Sequence, residues 1–114
     1  MSILDDVTYG NWSTSLDDVN YGKMPENFRG QVERYLRNGN PPGGFLEAVI
    51  GNDLMGAINR ADKDAADNLK AIVGWFYWEA PGGSWGSKKA FDAMIAGKGY
   101  EGMKANQALA KTGG

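Results

Sequence analysis

The sequence predicts a mainly α protein: a small single-domain helical bundle of about four helices with an extended N-terminal arm. Three observations carry that expectation. Apolar residues recur at helical spacing, as in Phe28, Val32, Tyr35 and Leu36. No segment beyond residue 24 alternates apolar and polar residues as a half-buried strand would. Clusters of glycine and proline cut the chain into pieces of helix length.

Residues 1–24 make the arm, rich in Asp, Ser, Thr, Asn and Gly with spaced aliphatic and aromatic residues. It holds a tandem repeat. Leu4-Asp5-Asp6-Val7-Thr8-Tyr9-Gly10 returns twelve positions later as Leu16-Asp17-Asp18-Val19-Asn20-Tyr21-Gly22. Neither helix periodicity nor a core demands such a pattern. Its Val-x-Tyr-Gly pieces suit short extended segments closed by turns.

The helical domain is expected over 25–97. Pro25 suits a first turn, and the stripe Phe28, Val32, Tyr35, Leu36 predicts a helix of about 25–38 closed by Gly39. A second helical stretch carries Phe45, Leu46, Val49 and Ile50, breaks at Gly51-Asn52-Asp53, and resumes with Leu54, Ala57, Ile58 and Ala61. Asn52 or Asp53 is the expected cap at that break. Asp62 or Asp64 can cap a third helix whose buried stripe is Leu69, Ile72, Val73, Phe76 and Tyr77, with Trp75 and Trp78 partly off it. After the loop Ala80 to Gly86, Ser87 caps a short helix over 88–96 with Phe91, Met94 and Ile95 inward. Residues 98–114 read as a Gly- and Lys-bearing tail with weak helical character.

A chain of 114 residues with 42% hydrophobic content can bury one core. No apolar run reaches the length of a membrane span, and no basic start precedes an apolar stretch as in a secretion signal. The cytosol of whatever cell makes the protein is the expected location. Cysteine and histidine are both absent. That removes disulfides, thiolate nucleophiles, the commonest general base and the commonest metal ligand. No remaining carboxylate, lysine or hydroxyl falls in a catalytic pattern, so no enzyme, no cofactor and no metal are expected. Asp53, Asp62 and Asp64 do not have calcium-loop spacing. The net charge of −2 is unevenly spread: residues 1–22 carry −4 and the rest +2. The acidic arm can therefore fold back on its own body, on a second copy or on another protein. No basic footprint for nucleic acid is present.

Two groups of residues are candidates for function. Trp75, Phe76, Tyr77, Trp78 and Trp85 place five large rings within eleven residues, more than one helix face can hide. Most belong in the core, and Trp78 or Trp85 is left for an interface. Asn52, Asp53, Asn59, Arg60, Asp62 and Asn68 form a polar series at the junction of the second and third helices. It reads either as capping with an internal Arg60–Asp ion pair, or as a ligand pocket with Arg60 facing an anion.

The run Pro42-Gly43-Gly44-Phe45-Leu46-Glu47-Ala48-Val49-Ile50-Gly51-Asn52-Asp53-Leu54 resembles the core of a family of small phage and prophage proteins of unassigned function. So do Arg60-Ala61-Asp62, Asn68-Leu69, Tyr77 to Pro81 and Trp85-Gly86-Ser87. The resemblance covers about residues 25–96, leaving out the arm and the tail, and departs at Trp78, where the family pattern more usually has Asn. It implies a bacteriophage origin and a compact helical domain, and brings no catalytic residues with it.

The leading functional expectation is a non-enzymatic phage protein that binds another protein, either a virion component or a host or defence protein that it inhibits. Its expected contacts are Asp5, Asp6, Tyr9, Trp12, Asp17, Asp18 and Tyr21 of the arm, with Trp78 and Trp85 of the body. Self-association through the arm is a further expectation. The alternative is a small-ligand protein that binds a nucleotide-like anion through Asn52, Asp53, Arg60, Asp62 and Asn68.

Overall fold

The computed structural model describes residues 16–113. Among them the chain is mainly helical, with seven helices and no strand. In order they are α1 (Glu26–Asn38), α2 (Gly44–Ile50), α3 (Leu54–Arg60), α4 (Lys63–Asp67), α5 (Leu69–Glu79), α6 (Lys88–Ala96) and α7 (Tyr100–Gly113). The expected four become seven for local reasons. The second stretch breaks into α2 and α3 where Asn52 takes a positive φ of 60° and the Asp53 carboxylate accepts the Gly56 N–H at 2.9 Å. Asp62 accepts the Ala65 N–H at 2.8 Å, and a turn at Asn68 separates α4 from α5. Ser87 caps α6 by accepting from the Ala90 N–H at 3.0 Å.

The seventh helix was not expected. Residues 98–114 read as a tail, yet α7 buries Tyr100 and Met103 in the core. Glycines admit it. Gly39 ends α1 in the left-handed region at φ 70°, and a Cβ there would come within 2.7 Å of the Gly99 nitrogen and the Lys98 Cα. Gly97 and Gly102 approach as closely, since a Cβ on Gly102 would collide with the Gly97 carbonyl. Side chains at these positions would hold α7 off the body.

One core joins the helices. Phe28, Val32, Tyr35 and Leu36 of α1 meet Phe45, Leu46, Val49 and Ile50 of α2, Ile72, Trp75 and Phe76 of α5, and Phe91 and Met94 of α6. Tyr35 stacks on Phe91 with ring centres 5.8 Å apart and donates its hydroxyl proton to the Ser84 carbonyl at 2.7 Å. Burial beside Asp92 raises the Tyr35 pKa well above the usual tyrosine range.

The expected stripe on α5 needs correcting. Ile72 and Phe76 are buried as predicted, but Trp75 takes the place of Val73 and Tyr77, both of which are exposed. Helix α5 is apolar nearly all round, so periodicity cannot choose its inner face. The choice falls to the partner that meets it.

That partner is the stretch just before α1. Leu16–Asp18 form a short 3-10 turn, not an extended segment, and Leu16, Val19 and Met24 all join the core. Residues 16–24, read as part of an extended arm, lie folded on the body.

Candidate functional site

The second copy of the repeat is seated between α1 and α5 by contacts that use most of its pattern. Leu16 and Val19 supply buried aliphatic groups. Tyr21 stacks on Trp75 with ring centres 5.4 Å apart and planes 15° from parallel. The Trp75 indole N–H donates to the Asn20 carbonyl at 2.7 Å, while the Asn20 side chain accepts the Gly22 N–H at 2.8 Å and closes the turn. Arg29 of α1 holds the end of the segment, donating to the Met24 carbonyl at 2.7 Å and the Gly22 carbonyl at 3.2 Å. Asp17 pairs at the rim with Arg37, which also bonds Glu33 one turn earlier on α1. These two carboxylates raise the Arg37 pKa.

The dock carries one unmet cost. The Tyr21 hydroxyl is buried and finds no hydrogen-bond partner among the described residues. Desolvation, with the nearby Glu33 charge adding to it and Arg37 opposing, pushes its pKa from 10.0 up to about 12. Asp17 and Tyr21, expected to grip another protein, are here engaged by the chain's own body. Asp5, Asp6, Tyr9 and Trp12 lie outside the described residues.

The aromatic cluster divides sharply. Of the three tryptophans described, Trp75 is 1% exposed, Trp85 is 8% exposed and Trp78 is 72% exposed. Trp85 packs on Phe76 with ring centres 5.7 Å apart, so it is a core residue and not the surface anchor expected. Trp78 stands beside a groove of about 620 Å³ whose lining includes Lys23, Lys70, Gly74 and Trp75. A Cβ on Gly74 would touch nothing within 4 Å. Packing therefore does not require glycine at this helix-interior position, where it costs about 1 kcal/mol relative to alanine.

Tyr77 meets Trp78 edge to face, with ring centres 4.8 Å apart. It extends the apolar surface towards Val73, which lines a second, shallow groove together with Leu54, Ala57 and Leu69. Across that groove α3 leaves Leu54 and Met55 each 66% exposed, with Ile58 exposed beside them. Helical spacing alone pointed Leu54 and Ile58 inward. A signal was nonetheless present in Gly56-Ala57, the two small residues of a short helix. They mark its packed side, which leaves the bulky residues facing out.

The polar series is only partly brought together. Asp53 and Arg60 share a cleft of about 230 Å³ with Glu47 and Lys88, two residues that sequence spacing did not connect to them. Gly44 leaves room for Arg60, since a Cβ there would come within 3.1 Å of the Arg60 Cδ. Asp53 and Asp62 use their carboxylates as helix caps, and no ion pair joins either to Arg60 among the described residues. Asn68 lies apart, its amide donating to the Asp64 carbonyl at 2.8 Å, and Asn52 is exposed at its turn. Among the described residues no three His, Cys, Asp or Glu side chains converge as a metal site requires. No helix among them is long and apolar enough to cross a membrane.

No family model, curated protein or solved structure matches this chain.

Proposed function

We propose that the protein is a non-enzymatic binding module that recognises another protein through the exposed apolar surface of α5 and α3. Trp78 is the central anchor. The carrying observation is the contrast within one helix: Trp75 is sealed into the core, while Trp78, three residues on, stands in solvent beside an open groove. A solvent-facing tryptophan packed edge to face on Tyr77, together with the exposed Leu54 and Met55 of α3, offers the aromatic and aliphatic area on which protein contacts concentrate. The groove's charges are mixed, Lys23 and Lys70 against Asp67 and Glu79, so its apolar and aromatic residues carry the recognition and not a net charge. The phage setting implied by the sequence resemblance fits this reading, with either a virion protein or a host or defence protein as the partner.

The test uses the full chain carrying an affinity tag, with Trp78→Ala as the variant and circular dichroism as the fold control. Co-purifying proteins identified from phage-infected cells should be lost with the variant while its helical signal is unchanged. Recovery of the same proteins in the same amounts with the variant would overturn the proposal.

A second reading draws on the cleft of Arg60 and Lys88, where two cations face Glu47 and Asp53. A small ligand carrying an anionic group suits it. Thermal stabilisation of the full chain by nucleotides or inorganic phosphate, lost in Arg60→Ala, would support this reading. No shift from any of them would remove it.

A further inference from the structure

The groups that seat residues 16–22 are duplicated twelve positions earlier. Leu4, Asp5, Val7, Tyr9 and Gly10 carry, at the same spacing, what Leu16, Asp17, Val19, Tyr21 and Gly22 bring to the dock. The one difference within the motif is Thr8 in place of Asn20. It falls where the dock uses main chain, because Trp75 donates to the Asn20 carbonyl. The side-chain role left over, accepting the Gly22 N–H, is one that a threonine hydroxyl also performs, though more weakly. The first copy thus holds nearly every contact group of a lock already seen closed.

We infer that the groove between α1 and α5 is a binding site for an acidic Leu-Asp-Asp-Val-x-Tyr-Gly segment, and that residues 4–10 of the same chain take it in place of residues 16–22. The second copy is the resident occupant. Only residues 23 and 24 separate it from Pro25, whereas docking the first copy leaves the fourteen residues 11–24 as a loop. Loop-closure scaling alone sets that register back by roughly 20-fold. Met24, fully buried and bonded through its carbonyl to Arg29, favours the resident further. The same chain is the source because a short tether keeps the first copy at an effective concentration on the order of millimolar, above that of a second molecule.

The exchange has a consequence for the surface. Lys23 lines the Trp78 groove while the second copy is docked and belongs to the loop when the first copy is. The groove holds one copy of the Leu-Asp-Asp-Val-x-Tyr-Gly motif at a time. The inference does not depend on what binds Trp78.

The experiment is a double-mutant cycle in the full chain: wild type, Val7→Asp, Val19→Asp and the pair, each unfolded by denaturant and followed by tryptophan fluorescence. Val7→Asp alone should leave the midpoint near that of wild type. With the first copy as reserve, the loss from Val19→Asp should stop at the register difference, roughly 20-fold in the folding constant from loop closure and more by whatever Met24 adds. The pair should then lose about tenfold more than the product of the single fold-losses, an interaction that only coupled sites show. If Val19→Asp does not fold, the Val7→Asn and Val19→Asn cycle, which buries a neutral amide in place of a charge, asks the same question with a loss still larger than the register difference. A synthetic peptide of residues 1–14 should raise the midpoint of the paired variant, and the same peptide with Val7→Asp should not. Additive losses in the cycle, or no response to the wild-type peptide, would overturn the inference. Coupling that appears only at high protein concentration, with a doubled mass in solution, would overturn the same-chain source and assign the segment to a second copy.

Discussion

Trp75 and Trp78 stand three residues apart on α5, yet they do opposite work. Trp75 meets a partner built for it, with Tyr21 stacked on one face and the Asn20 carbonyl capping its indole N–H. Trp78 meets a groove with Lys23 and Lys70 on its walls and solvent above it. Nothing in the helix itself separates the two. The difference comes from the nine residues 16–24, which cover one face of α5 and stop short of the other. The same indole is a structural anchor where the chain returns to cover it and an exposed aromatic surface where it does not.

That contrast can be broken from the Trp75 side with the largest effect. Trp75→Ala should cost on the order of 3–5 kcal/mol, as large-to-small core changes do. It should also release residues 16–24, and limited proteolysis would show faster cutting there than in α1. Next in size is Gly39→Ala, which forces a Cβ into the Lys98–Gly99 backbone at a positive φ. A loss of roughly 1–3 kcal/mol is expected from that strain, read as a lower denaturant midpoint together with loosened α7 amides in hydrogen exchange.

Tyr21→Phe tests the dock more finely. It keeps the ring on Trp75 and removes a buried hydroxyl that has no partner. Stability near neutral pH should hold or rise by about 1 kcal/mol. The alkaline limb should change as well. Folding favours the protonated phenol, whose pKa rises from 10.0 to about 12, so this stabilisation is present below pH 10 and is lost as pH climbs through 12. The Phe variant should lose less stability between pH 10 and 12 than wild type, leaving the share carried by Tyr35 and Tyr100, whose pKa values are also raised.

Trp78→Ala should matter least to the fold. A change of no more than about 0.5 kcal/mol is expected at so exposed a site. A larger destabilisation would erase the distinction between the two tryptophans and give Trp78 a structural role.

How much of this was legible in advance depends on the range of the interaction. The caps were legible. Gly39 ends α1 because it has no Cβ, Ser87 begins α6, and Asp53 and Asp62 are each one of the two caps expected at their helix starts, because a cap bonds backbone only a few residues away. The repeat was legible as a pattern but not as a dock, since its receptor includes Trp75, more than fifty residues later. The Arg60 cleft was half legible for the same reason: Asp53 lies nearby in the chain, while Lys88 arrives through the packing of α6 against α2.

The sequence by itself determined a helical protein, most helix boundaries, and a repeated acidic motif lacking any basic residue. Those follow from local propensity, capping and composition, which need no distant partner. Tertiary structure alone decided which face of α5 is core, that Leu16, Val19 and Met24 join it, and that α7 docks through paired glycines. Burial is a property of two surfaces meeting, and an apolar residue cannot state in advance which of its neighbours will come to cover it.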